Sequence, residues 1–483
     1  MTKSLQRKDL LCDKALIGGG WLGLAKTYEV KNPADGSGIG QLPDCGVKET
    51  EDAIAKAVQP QKQWAMKTAK QRSIILKKWV ELIEKHKDDL ALILTWENGK
   101  PISESLAEIA SGMGYIEWFA EEAKRAYGDI IPGHLPDKRL LVILQPVGIT
   151  ASITPWNFPH SMIARKVGPA LAAGCAQIVK PPEQTPFSAL AMAKLALEAG
   201  LPQGLFSVIS STDARTIGKV LTTDQRVAKF SFTGSTAVGK ILMAQAADSV
   251  KKISLELGGN APFLVFDDAD LDEAVSGAMA SKFRNAGQTC VCANRFIVQK
   301  KVVKAFAEKL KTAMEKMVVG NGADEGVTTG PLIDAESLSK VESLVKDATT
   351  KGAKIMLGGR RHRLGGFYFE PTLLLDMTPD MLIASNEIFG PVAAIFSFDK
   401  DEEAIEYANR THYGLASYFY AKDMARVFRI AENIETGMVG VNTGMLTTEV
   451  APFGGVKESG LGREGGWQGL REYMNEKYIC ISL

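Results

Sequence analysis

Between residues 147 and 266, short β-rich runs alternate with stretches whose apolar positions recur at helical spacing, and this alternation constrains the fold more than any other feature. Val147-Gly-Ile-Thr-Ala-Ser-Ile153 leads into a helix predicted over about 160–173, and Gln177-Ile-Val179 into one over 188–199. Phe206-Ser-Val-Ile209 precedes a helix near 216–221, and Ala228-Lys-Phe-Ser-Phe232 precedes one over 236–247. Lys252-Ile-Ser-Leu255 and Phe263-Leu-Val-Phe266 close the series. Strand and helix in regular succession specify an α/β fold, a parallel sheet with helices on its faces. Ligands of such sheets bind outside the carboxyl ends of the strands. The polar and glycine-bearing segments Thr154-Pro-Trp-Asn-Phe-Pro159, Lys180-Pro-Pro-Glu-Gln-Thr185 and Thr233-Gly-Ser-Thr236 fall at those ends.

Outside this stretch the chain is organised differently. Residues 14–23 read as a hairpin, and 51–64, 71–87 and 103–122 have the apolar spacing of helices. Gly18-Gly-Gly20-Trp-Leu-Gly23 matches a G-x-G-x-x-G phosphate-loop expression, but the strand-like Tyr28-Glu-Val-Lys-Asn-Pro33 follows where a helix would be required. A second α/β region is expected from 266 to about 455, and the tail ending Tyr478-Ile-Cys-Ile-Ser-Leu483 reads as a terminal strand. An apolar terminal strand has an exposed edge unless something pairs with it. Addition to a neighbouring subunit is the expected solution, hence a homo-oligomer.

Length and charge narrow the class. At about 150 residues per domain, 483 residues suggest roughly three domains, enough to bury a core without staples. The 57 Lys and Arg nearly balance 56 Asp and Glu, so no basic excess points to nucleic acid. No apolar run approaches a membrane span, and the first residues lack the apolar core of a signal peptide. Cys12, Cys45, Cys175, Cys290, Cys292 and Cys480 are too few and too scattered for a disulfide framework. With five dispersed histidines, no metal-ligand spacing appears. A cytoplasmic protein without a metal site is expected.

Several side chains at the strand ends suit chemistry. Cys290 in Gly287-Gln-Thr-Cys290 sits among small and polar residues, as a nucleophilic thiol does; its thiolate is the attacking form and needs a base. Any oxyanion it creates needs a donor, and Asn157, just past a strand end, carries an uncharged amide. Glu256, flanked by leucines at a strand end, is a carboxylate whose burial would raise its pKa toward a useful base. Lys180 and Glu183 occupy the loop after another strand of the same sheet. A cofactor-free cysteine hydrolase would instead need a histidine near Cys290, and the nearest in sequence, His362, lies in the charged Arg360-Arg-His-Arg363 loop.

Taken in order, P-W-N-F-P, K-P-P-E-Q-T-P, F-T-G-S-T, S-L-E-L-G-G-N, G-Q-T-C, E-I-F-G-P and P-F-G-G-V-K-E-S-G-L-G-R-E resemble the aldehyde dehydrogenase superfamily over nearly the whole chain. Residues 281–294 and Ala451-Pro-Phe-Gly-Gly455 resemble more narrowly its bacterial succinate-semialdehyde dehydrogenases. This resemblance implies a Rossmann-type cofactor domain over 1–125 and 146–257 and an α/β catalytic domain over 258–455. It also implies a small β oligomerisation arm over 126–145 and 456–483, and a homotetramer. The implied activity is NAD(P)-dependent oxidation of succinate semialdehyde to succinate, with a role in 4-aminobutyrate degradation. Glutarate semialdehyde or a broader aldehyde range is the alternative.

The same resemblance assigns roles. Cys290 would attack the aldehyde to give a thiohemiacetal and then a thioester, Asn157 would hold the oxyanion, and Glu256 would activate the hydrolytic water. Thr154, Trp156, Lys180, Glu183, Gly234, Ser235, Leu257, Glu387 and Phe389 would bind the cofactor. Glu183 favours NAD over NADP, because its carboxylate accepts from ribose hydroxyls and repels a 2′-phosphate. Asn386 replaces an acidic residue common in the family before Glu387. Arg165 and Arg284 would grip a distal carboxylate of the substrate, for which a guanidinium fork is suited. Thr447 falls where a serine hydroxyl is frequent. Cys292, two residues from the nucleophile, is a candidate redox partner for it.

Overall fold

The computed structural model describes residues 4–483 of the chain. The alternating stretch folds as expected into the centre of an eight-stranded sheet, whose spatial order is Gly460–Leu461, Lys252–Glu256, Val227–Thr233, Ile149–Ile153, Ala176–Lys180, Phe206–Val208, Ala15–Ile17 and Gly20–Leu22. The run from Lys252–Glu256 to Phe206–Val208 is parallel, while the N-terminal hairpin and Gly460–Leu461 join its edges antiparallel. Ile149–Ile153 and Ala176–Lys180 are buried throughout, as strands covered on both faces must be. Helices Val47–Ala65 and Ser161–Ala173 supply that cover, Ala69–Lys85 and Ile102–Glu122 pack in turn on Ser161–Ala173, and Trp64, Trp79, Phe119 and Phe206 lie in the enclosed core.

The strand Ala261–Val265 does not continue this sheet. It sits between Ala293–Gln299 and Ala416–Tyr420 in a seven-stranded sheet that also contains Lys354–Leu357, Thr372–Leu375, Val392–Phe398 and Met438–Val441. The sequence predicted it as the close of the first series, because an apolar β-run carries no mark of which sheet receives it. The chain crosses between sheets at Leu257-Gly-Gly-Asn260, immediately after Glu256. Both faces of the second sheet are cored, one around Phe266, Phe398 and Phe419 and the other around Phe263, Phe296 and Tyr418.

The terminal strand joins the 126–145 arm, as the resemblance implies, but not the edge of a neighbouring subunit. Met474–Ser482 pairs antiparallel along its whole length with Lys138–Pro146 of the same chain, and Asp129–Ile131 adds a third strand. One edge is thereby satisfied internally and no neighbouring subunit is needed for it. Residues 457–471 stay with the first unit instead: Leu470 lies in its core, and the Gly466–Arg471 helix packs on the Ser161–Ala173 helix. Among the described residues no helix is long and apolar enough to cross a membrane.

Candidate active site

Glu256 is the last residue of its strand, and Asn157 and Gly234 lie just past the carboxyl ends of two neighbouring parallel strands. The side chain of Ser235 caps the helix Thr236–Ala246 by accepting from Val238 N at 3.4 Å. Gly234 N donates to the Glu256 carbonyl at 3.0 Å, tying this helix start to the Glu256 strand. Trp156 meets Phe389 edge-to-face with ring centroids 5.5 Å apart. Glu387 Oε1 accepts from Gly259 N at 3.2 Å, and burial pushes its carboxyl up to about 7.

The segment carrying Cys290 arrives from the second unit. Asn285, Ala286 and Gly287 follow one another at φ of 52°, 53° and 77°, a left-handed run that only Gly287 adopts without strain. A Cβ on Gly287 would also lie 2.2 Å from Gly390 O. The run is held by Asn285 N donating to Glu104 Oε2 at 2.7 Å and by Gln288 Nε2 donating to Asn285 O at 3.1 Å. Gly259 lets the chain crossing lie against the main chain of Cys290; a Cβ there would be 2.4 Å from Cys290 O.

Two cavities open around this segment, and Cys290 is the one residue lining both. The larger, about 520 Å³, lies over the strand ends and is walled by Trp156, Asn157, Gly234, Ser235, Leu257, Glu387 and Phe389. The smaller, about 200 Å³, is walled by Phe158, Arg165, Arg284, Met445, Thr447 and Phe453, among others. Arg165 is buried between the rings of Tyr115 and Phe453, 4.6 and 4.3 Å from their centroids, and its Nε has no hydrogen-bond partner. Arg284 lies over Phe158 at 5.2 Å, and its Nε is likewise unpartnered. Two guanidinium groups with unused donors therefore face one small cavity.

The titratable groups are strongly perturbed. Burial pushes the Cys290 thiol up to about 12, with the Arg165 cation pulling the other way. Glu256 is held well above the carboxylate range by burial and then by the Glu464 carboxylate, against which Lys166 and Arg165 act. Its Oε2 has no partner. Asn157 Nδ2 donates to Gln288 O at 3.1 Å, two residues before Cys290, while Asn157 Oδ1 is free. No histidine lines either cavity, which removes the base a cofactor-free hydrolase would need.

The remaining sequence candidates lie nearby. Thr154, Lys180 and Glu183 line neither cavity: Thr154 is buried with Oγ1 unpartnered, and Lys180 Nζ sits 3.4 Å from Glu183 Oε2. Cys292 is buried, donates to Lys282 O at 3.3 Å and lines neither cavity. Sequence reasoning missed Glu104, Lys100, Glu108, Lys166 and Glu464. Of these only Glu464 lies in a quoted motif, G-L-G-R-E, where its charge alone gave no role.

A dinucleotide cofactor fits the larger cavity. Backbone N–H groups at the start of Thr236–Ala246 suit an anion, Trp156 and Phe389 offer apolar walls, and Thr233, whose hydroxyl has no partner, is among the lining residues.

Fold and sequence define an oxidoreductase: the chain belongs to the aldehyde dehydrogenase family, whose sequence profile matches residues 21–479. It is 54% identical over 481 residues to glutarate-semialdehyde dehydrogenase of Pseudomonas aeruginosa, covering 99% of both chains. It is 53% identical to an NADP(+) succinate-semialdehyde dehydrogenase of Escherichia coli, covering 99% of this chain and 100% of that one. The crystal structure of succinate-semialdehyde dehydrogenase from Burkholderia pseudomallei superposes with a TM-score of 0.99 at 54% identity, covering 100% of each chain.

Proposed function

We propose that the protein oxidises an aldehyde carrying a distal carboxylate, succinate semialdehyde first, to the dicarboxylic acid with a nicotinamide dinucleotide. One observation carries this reading: Cys290 joins a dinucleotide-sized cavity to a small one walled by Arg165 and Arg284. Glutarate semialdehyde is the second reading. Its support is the exposed Met445 and the half-buried Thr447 at the cavity wall, which can yield to a chain longer by one methylene.

Arg165 and Arg284 would orient the substrate by its carboxylate so that the aldehyde carbon meets Cys290 Sγ. Because the resting thiol is neutral, attack requires a proton acceptor, and Glu256 in its ionised form is the candidate. The Asn157 amide, turned from Gln288 O, would stabilise the oxyanion of the thiohemiacetal. A nicotinamide dinucleotide in the larger cavity would supply the hydride acceptor needed for the Cys290 thiohemiacetal to become the thioester. Glu256 would then take a proton from the water that hydrolyses the thioester, releasing the free acid.

A cofactor in the larger cavity would be held by Trp156, Gly234, Ser235, Leu257, Glu387 and Phe389. Glu183 occupies the Lys180 ammonium that could otherwise meet a 2′-phosphate, which supports NAD over NADP. The division of labour proposed gives the cofactor to the first-sheet unit, the nucleophile to the second, and subunit contacts to the three-stranded sheet. Exposed Ile130, Ile131, Ile143, Tyr478 and Ile481 on that sheet support a homo-oligomer, a tetramer on this reading. Six free cysteines suit a reducing, cytoplasmic setting.

Absorbance of the reduced nicotinamide tests the reading, using succinate semialdehyde, glutarate semialdehyde and propanal with each cofactor. Preference for the acid-tailed aldehydes supports it. No reduction with any aldehyde would sink it.

A further inference from the structure

The ammonium of Lys100 is sealed from solvent, beyond the end of the helix Lys87–Asn98 and outside both cavities. It makes two short bonds, to Glu108 Oε2 at 2.6 Å and to the main-chain carbonyl of Asn157 at 2.7 Å. It also lies over the Phe158 ring, 4.0 Å from the centroid. The other oxygen of Glu108 accepts from His160 N at 2.9 Å and Ser161 N at 3.1 Å. One buried pair thus grips the loop 157–161 on both sides of Phe158.

A buried ion pair is weak evidence for stability, since desolvation offsets most of its attraction. Its position has more to say. Asn157 O receives a second donor, Asn285 Nδ2 at 2.9 Å, from the strained run leading to Cys290. Asn285 Nδ2 also reaches Gln288 O at 3.4 Å, the same carbonyl that accepts from Asn157 Nδ2 at 3.1 Å. The peptide of Asn157 is therefore fixed from one side by Lys100 and from the other by the nucleophile segment. Two donors thus restrain the main-chain carbonyl of a residue whose side chain belongs to the wall of the cavity holding Cys290.

We infer that Lys100, held by Glu108, is a positioning residue for the reaction, aiming the Asn157 amide at the oxyanion by fixing the Asn157 main-chain carbonyl. This rests on the oxyanion role proposed above for Asn157. Lys100 touches neither substrate nor cofactor and acts only through Asn157, so its removal should harm the step that forms the oxyanion and leave cofactor binding alone.

The test is a pre-steady-state burst of reduced nicotinamide in the full-length enzyme, with cofactor affinity measured alongside, in Lys100→Met, Asn157→Ala and the double variant. Displacement of a catalytic group by an ångström is worth about 10²-fold. Lys100→Met is expected to slow the burst by about that factor, lowering kcat while leaving the cofactor Kd within about twofold. In the Asn157→Ala background the same substitution is expected to cost less than about threefold, the non-additivity of residues acting through one group. A wild-type burst in Lys100→Met, or an equal slowing in both backgrounds, would overturn the inference while leaving the oxyanion role standing. A wild-type burst in Asn157→Ala would overturn both. Should Lys100→Met fail to fold, Lys100→Arg keeps the cation for Glu108 but moves the donor; slowing only when Asn157 is present supports the inference, and slowing regardless of Asn157, or none, overturns it.

Discussion

Lys166 Nζ lies 2.7 Å from Glu464 Oε1, with both side chains shut away from solvent and Glu464 Oε2 turned toward Arg165 Nη1 at 3.8 Å. This pair sets the protonation of Glu256, which Glu464 drives up and Lys166 and Arg165 drive down, on top of the larger effect of burial.

Glu464→Gln removes the repelling carboxylate, so the acid limb of the kcat–pH profile is expected to move to lower pH. Glu256→Gln should slow the burst, because the Cys290 thiol loses its proton acceptor, and should cut steady-state turnover by about 10²–10⁴-fold, the range for a general base. Stability follows the same group. A carboxyl whose folded pKa is raised contributes stability below its unfolded pKa, and that contribution is lost as pH rises through the folded value. Denaturant melts of wild type should therefore weaken from mildly acidic to alkaline pH more steeply than those of Glu256→Gln. An unchanged pH profile in Glu464→Gln would remove Glu464 from this role.

The carboxylate grip is best tested at Arg284, because Arg165 also faces Cys290 and Glu464 and its loss would disturb both. Losing a charge-assisted bond of about 1.5–3 kcal/mol predicts a fall of about 10–150-fold in kcat/KM for succinate semialdehyde in Arg284→Ala. Propanal should change little. Equal losses on both substrates would argue against a grip on the distal carboxylate.

Glu183→Ser frees the Lys180 ammonium, now paired at 3.4 Å, for a 2′-phosphate. The ratio of kcat/KM for NADP over NAD is expected to rise by about tenfold or more, matching a charge-assisted bond gained and a like-charge contact removed. A ratio that stays put would place cofactor choice elsewhere.

Peroxide offers a fourth test, of Cys292. Oxidation of the Cys290 thiol to a sulfenic acid releases water, and attack by the Cys292 thiol would release a second water and close a disulfide. Cys292 now donates to Lys282 O at 3.3 Å, so it must turn to do this. Reductant should restore activity after peroxide in wild type and fail to do so in Cys292→Ser. Equal recovery in both would exclude the pairing.

Much of the site was legible because its groups sit where a parallel sheet exposes them. Asn157, Glu256 and Gly234 follow strand ends that periodicity alone located, and Cys290 stood apart by its small polar neighbours. The supporting shell was not legible. Lys166 meets Glu464 across 298 residues and Lys100 meets Asn157 across 57, and no local pattern marks either pair. The helix Lys87–Asn98 was missed for a different reason: Leu90-Ala-Leu-Ile-Leu-Thr95 is buried on every side, which erases the 3.6-residue period. The terminal strand was legible as a strand and the family resemblance joined it to the 126–145 arm, while no local pattern marks its partner at Lys138–Pro146, more than three hundred residues away in the chain.

The most direct test is to quench the enzyme during turnover of succinate semialdehyde with NAD, and to map the acyl group by peptide mass spectrometry. Wild type and Glu256→Gln are compared, the latter because a thioester that forms slowly there also lacks the base for its hydrolysis. A succinyl group on Cys290, absent in Cys290→Ala, is the expected result. An acyl group on Cys292 or another residue, or none at any time while product forms, would contradict the chemistry proposed for Cys290.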